Sequence, residues 1–91
     1  MTDNALIINR EMAAALDIIG DRWTLLILRD AFLGRTRFAQ FHQHTGASRA
    51  ILSQRLERLV AGDILYRRAY GEGSTRFEYR LTARGVELFG A

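Results

Sequence analysis

The stretch from Ser48 to Leu81 constrains the fold more than any other part of the chain. A polar, arginine-edged helix is followed directly by two strand-like runs, Ile64 to Tyr70 and Thr75 to Leu81, joined through Gly71-Glu72-Gly73-Ser74. Ser48 is placed to cap the helix, because its hydroxyl accepts from an early backbone N–H that has no partner inside the helix. Ile51, Leu52, Leu56, Leu59 and Val60 then recur at helical spacing and define a buried stripe. Ala50, Ser53, Gln54, Glu57, Arg58 and Ala61 fall on the opposite face. In the second strand Phe77, Tyr79 and Leu81 alternate with Arg76, Glu78 and Arg80, as a half-buried hairpin requires. Ahead of the helix, Thr45-Gly46-Ala47 reads as a compact turn after a helix from about Phe38 to His44. The order is that of a helix-turn-helix with a hairpin wing, an α+β, mainly helical fold, and it points to a nucleic-acid reader.

The remaining elements read as scaffold. A first helix is predicted from about Arg10 to Ile19, with Asn9 as cap, Gly20 as stop and Met12, Leu16 and Ile19 on one face. Asp21 caps a second helix, Arg22 to Leu33, whose Trp23, Leu26, Ile27 and Ala31 are expected in the core. A short extended piece at Thr36 and Arg37 leads to the third helix, with Phe38 and Phe41 pointing inward. Thr82 caps a last helix that is expected to be short. No repeat, low-complexity run or proline marks a linker, so a single domain over residues 1–91 is expected.

Ninety-one residues bury only about three-fifths to two-thirds of their unfolded surface, which makes shared apolar surface between subunits an expectation before any motif is considered. The chain has no cysteine, which removes disulfides, thiol catalysis and cysteine-based zinc sites. Its apolar runs are too short to span a membrane and no signal-type flank precedes them, so cytoplasmic residence is expected. All 13 basic residues are arginine. From Gly34 to Arg84 ten arginines face four acids, a local balance of +6, whereas Met1 to Leu33 carries −2. Charge segregated in this way is the footprint of a domain whose later part meets a polyanion, the alternative being a solvated basic face.

At this point the residues resemble a known family, the HxlR-type winged helix-turn-helix regulators of bacteria. The resemblance runs through Asp17-Ile18-Ile19-Gly20-Asp21-Arg22-Trp23-Thr24, Arg37-Phe38, Ile51-Leu52-Ser53-Gln54-Arg55-Leu56 and Arg76-Phe77-Glu78-Tyr79-Arg80-Leu81-Thr82. It implies a homodimer on double-stranded operator DNA, with the Ser48 to Ala61 helix in the major groove and the hairpin as wing. It also implies dimerisation through the first and last helices, with Leu6, Ile7, Met12, Leu16 and Leu88 as candidate interface residues. The chain departs from the family pattern in four places. Arg10 stands near the position where sensing members carry a cysteine, which excludes a thiol switch. Ser74 and Thr75 replace a wing proline pair, which raises the cost of ordering the loop. Asp63 follows Gly62 where the family places glycine just before the strand; aspartate tolerates a left-handed cap there, at some strain. Finally, the last helix is shorter than in relatives.

Arg49 and Gln54 are the best base-reading candidates, since arginine pairs bidentately with guanine and glutamine with adenine, while Ala50 allows close approach to a thymine methyl. Ser48, Ser53 and Arg58 complete the candidate helix face. Arg76, nearest the wing tip, is the first choice for a phosphate contact, with Ser74, Arg37, Arg67 and Arg68 as further candidates. Which face Arg67 and Arg68 occupy is open, and Arg37 is equally suited to covering the third helix. Arg80 suits an ion pair with a neighbouring acid. Arg55, at the edge of the buried stripe, is placed to reach either a phosphate or an internal carboxylate and leans toward the second.

His42 and His44, two apart on a helix, diverge and read as exposed residues, not ligands. Asp17, Asp21 and Asp30 read as caps and surface charge. No nucleophile-base pair and no phosphate-cradling loop is present, so neither an enzyme nor a cofactor is expected, and no small-molecule effector is specified. The alternative reading keeps the fold but makes it a protein-interaction module, or the DNA-binding head of a longer chain.

Overall fold

A computed structural model describes residues 21–72 and 76–90. The expected first helix, with Leu6, Ile7, Met12 and Leu16, lies outside the described residues, as do Ser74 and Thr75 of the wing. Within them the order is α1 (Arg22–Phe32), α2 (Phe38–Thr45), α3 (Arg49–Ala61), β1 (Leu65–Tyr70), β2 (Arg76–Leu81) and α4 (Ala83–Phe89).

Local chemistry sets each boundary. Asp21 caps α1 by accepting from the Thr24 N–H at 3.0 Å, and Ser48 caps α3 by accepting from the Ile51 N–H at 3.2 Å. Thr82 caps α4, its hydroxyl accepting from Gly85 at 2.9 Å while donating to the carbonyls of Asp63 and Ile64. Helix α3 ends in the left-handed aspartate cap that the sequence allowed. Asp63 sits at φ 60, its N–H donates to Val60, and Ile64 donates back to Leu59 at 2.9 Å. This is a Schellman closure with aspartate in the position glycine usually fills.

The turn between α2 and α3 is locked from inside. Gly46 takes φ 77, Thr45 Oγ1 donates to the Phe41 carbonyl at 2.7 Å, and Ala47 N–H donates to the same hydroxyl at 3.2 Å. His42 Nδ1 lies 2.9 Å from the Ala47 carbonyl and its ring stacks against Phe38. His42 is therefore half-buried and holds the turn, where the sequence suggested an exposed residue; only His44 is exposed.

Strands β1 and β2 pair antiparallel, from Leu65 with Leu81 to Tyr70 with Arg76. The extended piece before α2 adds a third rung: Tyr79 N–H donates to Thr36 at 2.7 Å and Arg37 bridges Glu78. The core gathers Ile27, Leu28, Phe41, Leu52, Leu56, Leu59, Ile64 and Leu65 between α1, α3 and the hairpin.

Three expectations change here. The buried stripe of α1 runs through Thr24, Ile27 and Leu28; of the residues expected in the core Ile27 is fully buried, Trp23 and Ala31 are half-buried against it, and Leu26 is half-buried outside it. Asp30 is 1% exposed instead of a surface charge; Arg29 donates to one carboxylate oxygen at 3.2 Å and the other has no protein partner. Leu88, expected at a dimer interface, is 7% exposed and belongs to the core of its own subunit. The reason is helical phase: Gly85 and Leu88 are the buried positions of α4, so Val86 is its exposed apolar residue. Gly85 lets the helix approach so closely that a Cβ there would lie 2.4 Å from the Ile64 carbonyl oxygen.

Candidate nucleic-acid interface

Among the described residues, the outer face of α3 is exposed. Ser48, Arg49, Ala50, Ser53, Gln54 and Arg58 are all exposed, while Leu52, Leu56 and Leu59 on the reverse are buried. Arg55, between the two faces, turns inward. Its Nε donates to Asp21 Oδ2 at 2.6 Å and its Nη1 donates to the Gln54 side-chain oxygen. Burial pushes the Asp21 carboxyl up, but the Thr24 N–H and the Arg55 guanidinium outweigh it and hold the group below its ordinary value.

From the start of α3 a chain of arginine-aromatic contacts leads to the wing. The Arg49 guanidinium lies 5.7 Å from the centre of the Phe38 ring at the start of α2. Arg37, next in sequence to Phe38, lies 4.3 Å over the Tyr70 ring. Tyr70 in turn pairs across the hairpin with Arg76, at the root of the wing loop. An open groove of about 490 Å³, lined by Arg37, Phe38, Tyr70, Arg76 and Phe77 among others, follows this path. Cations held over ring faces keep their guanidinium edges available to phosphate oxygens.

Strand alternation settles the two hairpin arginines left open by the sequence. Arg67 pairs with Tyr79 and lies over the Phe77 ring at 4.5 Å, on the face that turns toward α3, where it lines a groove with Glu57, Val60 and Ala61. Arg68 occupies the opposite face and donates to Glu78 at 3.1 Å, joined there by Arg80 at 3.4 Å. The hairpin arginines therefore do not form one stripe: Arg67 stands apart from Arg68, Arg76 and Arg80.

Burial pushes the Glu78 carboxyl up, and the Arg80 and Arg68 guanidinium groups outweigh it and leave the group below its ordinary value. Glu78 was missed as an organiser, although its place between Arg76 and Arg80 on one strand face was a signal for it. Tyr70 was also missed; counting back from the glycine turn would have placed it opposite Arg76. Among the described residues no group of three or more His, Asp or Glu side chains is arranged to hold a metal ion, and no helix is long and apolar enough to cross a membrane.

A helix-turn-helix with this wing is also what comparison with known proteins returns. The family described as HxlR-like helix-turn-helix matches residues 18–91. The chain belongs to the HxlR-like helix-turn-helix family. A relative from Mycobacterium tuberculosis, described as an uncharacterized HTH-type transcriptional regulator, is 48% identical over 77 residues, covering 85% of this chain and 49% of the relative. One from Synechocystis, described in the same words, is 38% identical over 74 residues, covering 80% and 55%. Among solved structures, the reduced form of the transcriptional regulator YodB from B. subtilis superposes with a TM-score of 0.74 at 27% identity, covering 91% of this chain and 82% of that one. This HxlR-like chain thus spans about half the length of the mycobacterial relative it matches. The winged-helix architecture expected from Ser48 to Leu81 is the one observed.

Proposed function

We propose that this chain binds double-stranded DNA as the reading domain of a transcriptional regulator, with α3 in the major groove and the hairpin on the backbone or minor groove. The observation that carries the reading is the continuous Arg49, Phe38, Arg37, Tyr70, Arg76 surface, which joins the exposed start of the recognition helix to the root of the wing. In this reading Arg49 and Gln54 reach base edges, Ala50 and Ser53 allow close approach, and Ser48, Arg58, Arg37, Arg67 and Arg76 meet phosphate, with Ser74 a further candidate from its place in the sequence between the two strands. Arg68 ranks behind them because its charge is already committed to Glu78. No catalytic step, metal or cofactor is part of the function.

The active form is a homodimer on an operator with half-sites about one helical turn apart, near 34 Å. Exposed Leu25, Leu33 and Phe32 near α1 and Val86 on α4 supply apolar surface for that contact, in place of Leu88. Leu6, Ile7, Met12 and Leu16 stay candidates for the same interface. Residues 1–91 act as one domain in the cytoplasm; because the match covers only 49% of the mycobacterial relative, the reading extends naturally to the DNA-binding head of a longer chain.

The test is binding to fluorescently labelled random-sequence duplex at increasing salt. Each phosphate contact contributes a slope of about −0.9 in log affinity against log salt, so affinity falls steeply. Salt-insensitive binding, or none, favours a protein partner for the same surface.

A further inference from the structure

One polar side chain on the outer face of α3 has its orientation set by the protein itself. Asp21, at the start of α1, gives one carboxylate oxygen to the Thr24 N–H and the other to Arg55 Nε. That pins the Arg55 side chain, which is 17% exposed, and its Nη1 donates to the Gln54 side-chain oxygen. A guanidinium carries donors only, so the carboxamide atom that faces it must be the oxygen. The NH2 of Gln54 is then the end left free of Arg55, on an exposed face of the helix.

This arrangement changes what Gln54 can read. A glutamine with both ends free makes a bidentate pair with adenine, accepting from N6 and donating to N7. With one lone pair of its oxygen taken by Arg55 and its NH2 turned away from that partner, Gln54 approaches a base edge chiefly as a donor. In the major groove a donor meets two adjacent acceptors on guanine, O6 and N7, and O4 on thymine, whereas adenine offers N7 alone beside its own N6 donor and cytosine presents only the N4 donor. We infer that Arg55, anchored by Asp21, is a positioning residue that makes Gln54 select a keto base, guanine or thymine, over the adenine that an unrestrained glutamine prefers. The inference rests on the DNA-binding reading above and extends it to the specificity of a single operator position.

Selection of bound sequences from a random duplex pool, using the full chain, tests it. The unaltered protein shows a keto preference at one position in each half-site of roughly fivefold or more, and Gln54→Ala flattens that position alone. Arg55→Met and Arg55→Lys shift the same position toward adenine and leave the others unchanged. Lysine keeps a charge for Asp21 but lacks the fork that bridges two acceptors, and it guards against loss of folding in the methionine variant, which thermal melting reports.

Four results overturn the inference. In the first, Gln54→Ala flattens the keto preference but both Arg55 variants keep it, so the DNA-binding reading stands and the orienting role fails. In the second, Gln54→Ala alters no position. In the third, the Arg55 variants weaken all positions equally, which is a structural role only. In the fourth, the unaltered protein enriches no sequence, and the DNA-binding reading falls together with the inference.

Discussion

Helix α3 and the hairpin are both rich in arginine, yet they manage its charge in opposite ways. On α3 a single arginine, Arg55, turns inward to Asp21, while Arg49 and Arg58 stay exposed. On the hairpin a single carboxylate, Glu78, gathers Arg68 and Arg80, while Arg67 is drawn over Phe77 on the other face. The helix therefore presents a polar face defined by what its reverse buries, and the wing presents a charge that its own acid has already thinned. Counting arginines along the chain overstates what the wing offers a polyanion. On the face that carries Tyr70, what remains is Arg76 together with Arg37, which the Thr36 rung brings to the strand edge, while Arg67 stays exposed on the other face.

The comparison is broken most severely at the support behind α3. Leu56 is fully buried between α1 and the hairpin, so Leu56→Ala is expected to destabilise the fold by about 2–5 kcal/mol in denaturant unfolding. Arg76→Ala, with no core role, is expected to leave the midpoint within about 0.5 kcal/mol. If the two variants unfold alike, the wing root is part of the core and the contrast is wrong.

The second expected effect is on binding. Arg49→Ala is expected to lose roughly 1–3 kcal/mol of discrimination between the preferred sequence and its single-base variants. Arg76→Ala is expected to weaken all sequences alike and to reduce the salt slope by about 1. Anisotropy titrations on paired duplexes distinguish the two patterns. Should Arg76→Ala alter sequence preference instead, the wing reads bases and the division of labour between helix and hairpin is lost.

A smaller effect is expected where α3 hands over to β1. Asp63→Gly relieves a left-handed aspartate and is expected to raise stability by up to about 1 kcal/mol, measured by thermal melting. The smallest concerns the two carboxylates that define the contrast. Asp21 and Glu78 both lie below their ordinary values in the folded state. Their contribution is complete above the unfolded carboxylate value of about 4 and is lost as pH falls through the lower folded value. Melts taken from pH 6 down to pH 2.5 should show that loss, and Asp21→Asn and Glu78→Gln should each remove a share of it. An acid limb unchanged by either substitution would mean that these pairs are screened by solvent and organise nothing.

Much of this arrangement was legible in the sequence because it depends on residues close together along the chain. Ser48, Asp21 and Thr82 announced their helices, since a cap and its N–H are three residues apart. The alternation from Arg76 to Leu81 declared its two faces, and Asp63 after Gly62 declared its strained handover. The inward turn of Arg55 was also anticipated, from its place at the edge of a helical stripe. Asp30, Leu88 and His42 were misjudged for a shared reason. Whether a helical residue is buried depends on the phase at which its helix meets a neighbour, and a shift of one residue exchanges a surface position for a core one.

The sequence by itself determined the order of elements, their caps and turns, the segregation of positive charge and the face of α3 that is free to read, because each follows from local backbone chemistry or from periodicity. Only the tertiary structure decided which arginines remain available. Asp21 lies 34 residues from Arg55, and Thr36 lies 42 from Glu78. Polar contacts across such separations are chosen by how helices and strands pack, so the charge this surface presents is a property of the folded protein and not of its composition.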